Sequence, residues 1–266
     1  MPIDIAARFS FGLSEPMDVL LQFEAAAIPE QQILASHCRM SEAERLVRVP
    51  AQDWIGERIW LRAEGIYEVE YSARVEIDRM LPDVAALDGL EPHALPGETI
   101  QYLFDSRYCP ADRFQPFVTA EFDGSSGGAR IAAIRDWIAD HLTYEPGCST
   151  SNTTALDSFV ERRGICRDYA HVMITLARAS AIPARYISVY APGVEPPDFH
   201  AVAEVFLADP TTPGGGAWHL VDATGMANPA SMVKIGVGRD AADVSFMTVF
   251  GTAEFRDKTV TVTSSE

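Results

Sequence analysis

The stretch Arg162-Arg163-Gly164-Ile165-Cys166-Arg167-Asp168-Tyr169-Ala170-His171 opens the most strongly patterned helix in the chain. Ile165, Tyr169, Val172, Met173, Leu176 and Ala177 recur at helical spacing and make one apolar face, and Pro183 closes the segment. Cys166 therefore falls in the first turn, just after a glycine. Free backbone amides and the positive end of the helix dipole favour a thiolate over a thiol there, and Arg162, Arg163 and Arg167 add positive charge nearby. A thiolate attacks carbonyl carbon, and the amide of Cys166 would face the oxyanion formed by that attack. Free cysteines are more often small buried hydrophobes, so position alone does not assign this one.

Working outward, two strand-like runs follow, Ala184 to Tyr190 and Ala201 to Leu207, joined by a Pro-rich loop. A third, Trp218 to Val221, comes after a Gly-rich turn at 214–216. His200 opens the second run, 34 residues after Cys166, and Asp222 closes the third, 22 residues later. Neighbouring antiparallel strands of this kind can present an imidazole beside a carboxylate, the base and orienter that a thiol nucleophile needs. Asp243 to Phe250 and Thr259 to Thr263 read as final strands. Upstream, Ile131, Ile134, Trp137, Ile138 and Leu142 mark another helix, and Ala155 to Arg162 a shorter one after a polar segment from Tyr144 to Asn152. The first hundred residues read as β, with strands Ala6 to Phe11, Val19 to Ala25, Arg58 to Glu64 and Tyr67 to Val75. Breaks are expected at Gly12–Pro16 and a hairpin at Gly65.

Segregated strands and helices predict an α+β fold, with helices packed on an antiparallel sheet and an N-terminal β-sandwich-like domain. The expected boundaries are 1–112 for the β-rich domain with its Pro-rich linker, 113–235 for the core and 236–266 for C-terminal strands packing back on one of the sheets.

Composition bounds the function classes. The 266 residues are 47% hydrophobic and 22% charged, which excludes wholesale disorder. The net charge of −17 argues against nucleic acid and anionic membrane surfaces as partners, while tolerating a cationic substrate. No signal peptide or membrane-spanning stretch is evident, and Cys38, Cys109, Cys148 and Cys166 stand far apart, so free thiols and a cytoplasmic location are expected. Neither metal-ligand spacing nor a Gly-rich phosphate loop is found, so no metal or other cofactor is expected. A homo-oligomer is left open.

From about Ala129 to Pro229 the chain resembles the transglutaminase-like superfamily, the papain-related thiol enzymes. The matching stretches are Gly164–His171, Ile182–Tyr186, Phe199-His200-Ala201 and Trp218–Thr224. Ser106-Arg107-Tyr108-Cys109-Pro110 and Gly238–Val244 are similar to the bacterial branch, a group that includes cysteine proteases. The resemblance implies a papain-like core, Cys166 as nucleophile, His200 as general base and acid, Asp222 as orienting carboxylate, and a peptide or amide substrate. It implies hydrolysis by a cysteine peptidase or amidase first, with glutamine transglutamination or a non-catalytic binding module as alternatives. Tyr144 is the candidate for a second oxyanion donor. Two positions depart from the family pattern: Val202 where a Trp is common, and Ala223 where Asp-Pro-Thr is common. Asp168 reads as a cap or an ion-pair partner of Arg167 or Arg185, and His171 and His219 as packed or hydrogen-bonded rather than catalytic.

Overall fold

In the computed structural model, which describes residues 1–209, 211 and 215–264, the chain opens with four strands: β1 (Ile3–Leu21), β2 (Gln31–Met40), β3 (Arg45–Pro50) and β4 (Glu57–Ile77). β1 and β4 pair antiparallel over most of their length, and alternate side chains such as Phe9, Phe11, Val69 and Tyr71 are buried on one face. The breaks expected at Gly12–Pro16 and Gly65 are bends within continuous strands. Leu13 stands opposite Gly65, and the register slips between Leu13 and Met17, so the helix- and strand-breaking residues of both strands meet in one shared bulge. Gly65 takes a φ of 78°, which a side chain would disfavour. The pattern therefore locates a kink where a local reading expects a turn. β2 and β3 escape that reading because most of their side chains are exposed, leaving little alternation to detect.

Short 3-10 turns occupy much of the segment from Val84 to Phe114. Then come α1 (Gln115–Glu121), α2 (Gly127–His141), β5 (Thr143–Tyr144), α3 (Ala155–Glu161), β6 (Arg163–Gly164) and α4 (Cys166–Ala179). The chain finishes with β7 (Ala184–Tyr190), β8 (His200–Ala208), β9 (Gly216–Val221), β10 (Val233–Gly238), β11 (Met247–Val249) and β12 (Ala253–Ser264). Gly214, the first glycine of the expected turn before β9, lies outside the described residues.

The second half of the chain builds a four-stranded antiparallel sheet, ordered β10-β7-β8-β9, with α4 packed across it. α4 is buried over most of its length, and with α2 and the α4-facing side of β7–β9 it makes one hydrophobic core. β10, whose two glycines hide it from a strand pattern, forms the edge beside β7 and is buried throughout. The C-terminal strands leave this sheet: β11 and β12 both pair with β1, giving a six-stranded sheet with β12 and β11 along one side of β1 and β2 and β3 along the outer side of β4. A second core lies between the sheets, where Tyr190, Val233 and Ile235 pack with residues of β1 and β4. The α+β class with helices on an antiparallel sheet is thus the observed architecture. Among the described residues, no helix is long and apolar enough to cross a membrane.

Candidate active site

Cys166 is the first residue of α4, and the start of that helix is built by Asp168. One carboxylate oxygen of Asp168 accepts the Ile165 amide at 2.9 Å, capping the helix. The fit requires Gly164, since a Cβ there would stand 2.7 Å from the Asp168 Cβ. The other oxygen accepts Arg167 Nε and Nη2 at 3.1 and 2.8 Å, and Nη2 also donates to the Thr150 carbonyl at 2.8 Å. The three arginines expected to support a thiolate have other partners. Arg167 is bound to buried Asp168, Arg163 pairs with Glu161 and Glu145, and Arg162 lies over the rings of Trp137 and Phe159. Of the favourable features read around Cys166, the helix start itself is the one that remains.

His200 and Asp222 are brought together by β8 and β9, as neighbouring strands allow. His200 Nε2 lies 2.9 Å from Asp222 Oδ2, and both side chains are almost fully buried. The carboxylate is held at both oxygens. Oδ1 accepts the amide and hydroxyl of Thr224 at 2.9 and 2.7 Å, and Oδ2 also accepts the Ala227 amide at 3.0 Å. Burial favours a protonated carboxyl, yet the bonds from His200 and Thr224 outweigh it and keep Asp222 below the usual carboxylate range. Burial would likewise strip His200 of its proton, but the hydrogen bond and charge of Asp222, together with the Cys166 side chain, hold its pKa up at about 9. With Nε2 committed to Asp222, Nδ1 is buried and has no hydrogen-bond partner within ordinary limits among the described residues. The Cys166 side chain, which lines the same cleft and contributes to the raised pKa of the ring, is the group available to it.

Tyr144 reaches the same place through a small parallel pairing of β5 with β6, in which Tyr144 stands beside Gly164. The Glu145 amide donates to the Gly164 carbonyl at 3.0 Å and fixes that register. The Tyr144 hydroxyl thereby comes close enough to Cys166 for the amide and the side chain of that residue to bear on its ionisation. Burial first, and the neighbouring Cys166 side chain second, push its pKa up to about 12, so it keeps the proton it could donate.

Cys166 is half-buried and opens onto a cleft of about 440 Å³, whose far wall comes from the C-terminal segment through Phe246 and Lys258. Lys258 pairs with Asp198, two residues before His200, and lies over the rings of Phe199 and Phe246. No sequence signal pointed to this wall, because its residues are distant in the chain and unremarkable in type. Thr224 could have been found: Asp-x-Thr is the pattern in which a hydroxyl and an amide fold back on a carboxylate. His171 is buried, stacked on Tyr108, with Nε2 accepting the Ala241 amide at 3.1 Å, and burial drives its pKa down to about 3. His219 lies in β9 and does not line the cleft. Cys109 is fully buried and its thiol is pushed up to about 12 by that burial.

A cysteine at the mouth of a helix, laid across an antiparallel sheet that carries a histidine and a carboxylate on adjoining strands, defines the papain-like class of thiol-enzyme folds. The chain belongs to the transglutaminase-like superfamily, whose core model matches residues 118–223. It is 31% identical to a structurally solved protein of Cytophaga hutchinsonii, provisionally described as a cysteine protease. That likeness covers 100% of this chain and 91% of the other with a TM-score of 0.91. It is also 30% identical over 127 residues to an uncharacterised Mycobacterium leprae protein, covering 44% of this chain and 42% of the relative. A Mycobacterium tuberculosis protein, likewise uncharacterised, is 32% identical over 127 residues, 43% of this chain and 40% of its own. The chain thus matches less than half the length of these curated relatives.

Proposed function

We propose that the protein is a thiol-dependent acyl transferase acting on amide or peptide bonds, with water as the usual acceptor. Cys166 is the nucleophile, His200 the general base and acid, Asp222 the orienting carboxylate, and Tyr144 a donor to the oxyanion beside the Cys166 amide. The observation that carries this reading is the hydrogen-bond chain from Asp222 through His200 Nε2 to a ring whose other nitrogen is left for the half-buried Cys166 sulfur.

In the first half-reaction the Cys166 sulfur forms a bond to the carbonyl carbon and the charge on oxygen is met by the Cys166 amide and Tyr144. The C–N bond then breaks, and the proton held by His200 goes to the leaving nitrogen. In the second, His200 takes a proton from water, the hydroxide adds to the thioester carbon, and the C–S bond breaks to restore the thiol pair. Asp222 remains ionised throughout and fixes the ring through Nε2, leaving Nδ1 for the sulfur and the incoming groups. An amine taking the place of water would make the same site a cross-linking transferase.

The test is a panel of peptides and primary amides assayed with the native protein, Cys166→Ala and His200→Ala, with and without an added alkylamine. Release of acid or ammonia that vanishes in both variants is the expected result, and amine incorporation would identify the transferase. Equal turnover in the variants would remove the triad from the mechanism and leave a binding module.

A further inference from the structure

The net charge of −17 predicts a molecule that repels anions, yet the cleft beside Cys166 carries positive charge without a matching acid. Four permanently or ordinarily charged side chains line it: Arg107, Arg167, Lys258 and Asp198. Lys258 and Asp198 pair with each other, and Arg167 pairs with Asp168 behind the wall. Arg107 is exposed and has no carboxylate within ion-pair distance among the described residues.

Arg107 is nevertheless held in place. Its guanidinium lies over the Tyr108 ring, 5.0 Å from the centroid. Tyr108 is itself fixed at three points. Its amide donates to Asp240 at 2.9 Å, its hydroxyl donates to the Ser151 carbonyl at 2.8 Å, and its ring stacks on buried His171 at 5.0 Å and 14°. His171 in turn packs against Tyr186 at 5.4 Å. The result is a column, Tyr186–His171–Tyr108–Arg107, running from the core to the wall of the cleft and ending in a planar cation. Such a group suits bidentate recognition of a carboxylate.

We propose that Arg107 docks a carboxylate of the substrate, so that the preferred acyl compounds are peptides or amides bearing an acidic group near the bond to be cleaved. This rests on the thiol acyl-transfer reading above and names the substrate class of that site. Arg107 is a specificity residue and takes no part in bond making.

Two reagents that alkylate the same sulfur and differ in charge read the proposal without a known substrate. Cys166 modification by iodoacetate and by iodoacetamide is followed by mass spectrometry of the Cys166 peptide, and the ratio of the two rates is the measure. Arg107→Gln should lower that ratio roughly five- to tenfold and Arg107→Lys no more than about two- to threefold, and the native ratio should fall as salt is raised. A ratio unaltered by Arg107→Gln overturns the carboxylate dock. Failure of the thiol reading shows elsewhere, as iodoacetamide modification of Cys166 that does not depend on His200. The source of the carboxylate is separated by competition against iodoacetate. Three peptides are used: an amidated one with an internal glutamate, an alanine one with a free C-terminus, and a neutral amidated one. Stronger protection by either of the first two identifies the source, and equal behaviour of all three overturns the proposal.

Discussion

The sheet β10-β7-β8-β9 carries two buried charged clusters, and they differ in one respect that separates structure from chemistry. In the first, Glu204 of β8 faces Arg185 of β7 and Lys234 of β10, with Asp53 and Glu30 completing the pairing at the ends. Every member is paired to an opposite charge, the Trp218 ring covers Arg185, and the Glu204 side chain has no exposure. In the second, at the start of β8 and just beyond the end of β9, Asp222 is as fully bonded as Glu204, but one of its partners is the ring of His200. The ring then keeps Nδ1 unpaired next to a half-buried sulfur. Both clusters overcome the cost of burying charge. The difference is that one leaves hydrogen-bonding capacity unused at the edge of a cleft.

The largest effects should therefore separate by cluster. Asp222→Asn or His200→Ala is expected to lower turnover by roughly 10²–10⁴-fold, with a loss of thermal stability confined to the His200–Asp222 pairing. Glu204→Gln leaves Arg185 and Lys234 short of a buried counter-charge and should cost about 3 kcal/mol of unfolding free energy, with turnover per folded molecule intact. Urea titration and a turnover assay on the three variants check both halves. An activity loss in Glu204→Gln at full folding would dissolve the distinction.

The two clusters also differ in how openly the sequence displays them. Cys166, His200 and Asp222 were legible because each sits at an element boundary that local patterning marks: a glycine before an amphipathic helix, a Pro-rich loop before a strand, a strand end before Asp-x-Thr. Tyr144 was legible only as a residue preceding a polar loop, because its place depends on the two-residue pairing of β5 with β6. The Glu204 cluster was not legible at all. Its members are scattered over Glu30, Asp53, Arg185, Glu204 and Lys234, and β10, which supplies Lys234, is interrupted by Gly236 and Gly238. The long strands β1 and β4 mislead for the opposite reason. Their breaker residues are real signals, but a shared bulge and a turn use the same residues, and only pairing across the sheet distinguishes them.

Proton linkage gives a second way to set the clusters apart, because their pKa values move in opposite directions. His200 is raised to about 9, so the stability its charged form contributes is complete below its unfolded value of about 6.5 and is lost as pH rises through 9. Glu204 is lowered to about 2: burial alone would raise it, but Arg185 and Lys234 prevail. Its contribution is complete above the ordinary carboxylate range and is lost as pH falls towards 2. The gap in melting temperature between native protein and His200→Ala should close between pH 7 and 10, and that for Glu204→Gln between pH 5 and 2. Turnover should show an alkaline limb near 9. A His200 gap that instead closes on acidification would mean that the ring is neutral in the native state.

The smallest effect tests how finely Asp222 must be held. Thr224→Val keeps the shape of the side chain and the amide bond to Oδ1 but removes the hydroxyl donor at 2.7 Å. One hydrogen bond to a buried carboxylate is worth about 1.5–3 kcal/mol, and three donors remain to share the loss, from the Thr224 and Ala227 amides and from His200. The hydroxyl also accepts the Met226 amide at 3.2 Å, so the turn that delivers Ala227 should loosen slightly. The expected outcome is a few-fold fall in kcat with KM little altered, because in the proposed mechanism the carboxylate orients the base and does not touch the substrate. The alkaline limb should move down with it, since a weaker grip on Asp222 weakens the bond that keeps His200 charged. A change confined to KM would place Thr224 in substrate binding. No change in either parameter would mean that the two backbone amides hold Asp222 without the hydroxyl.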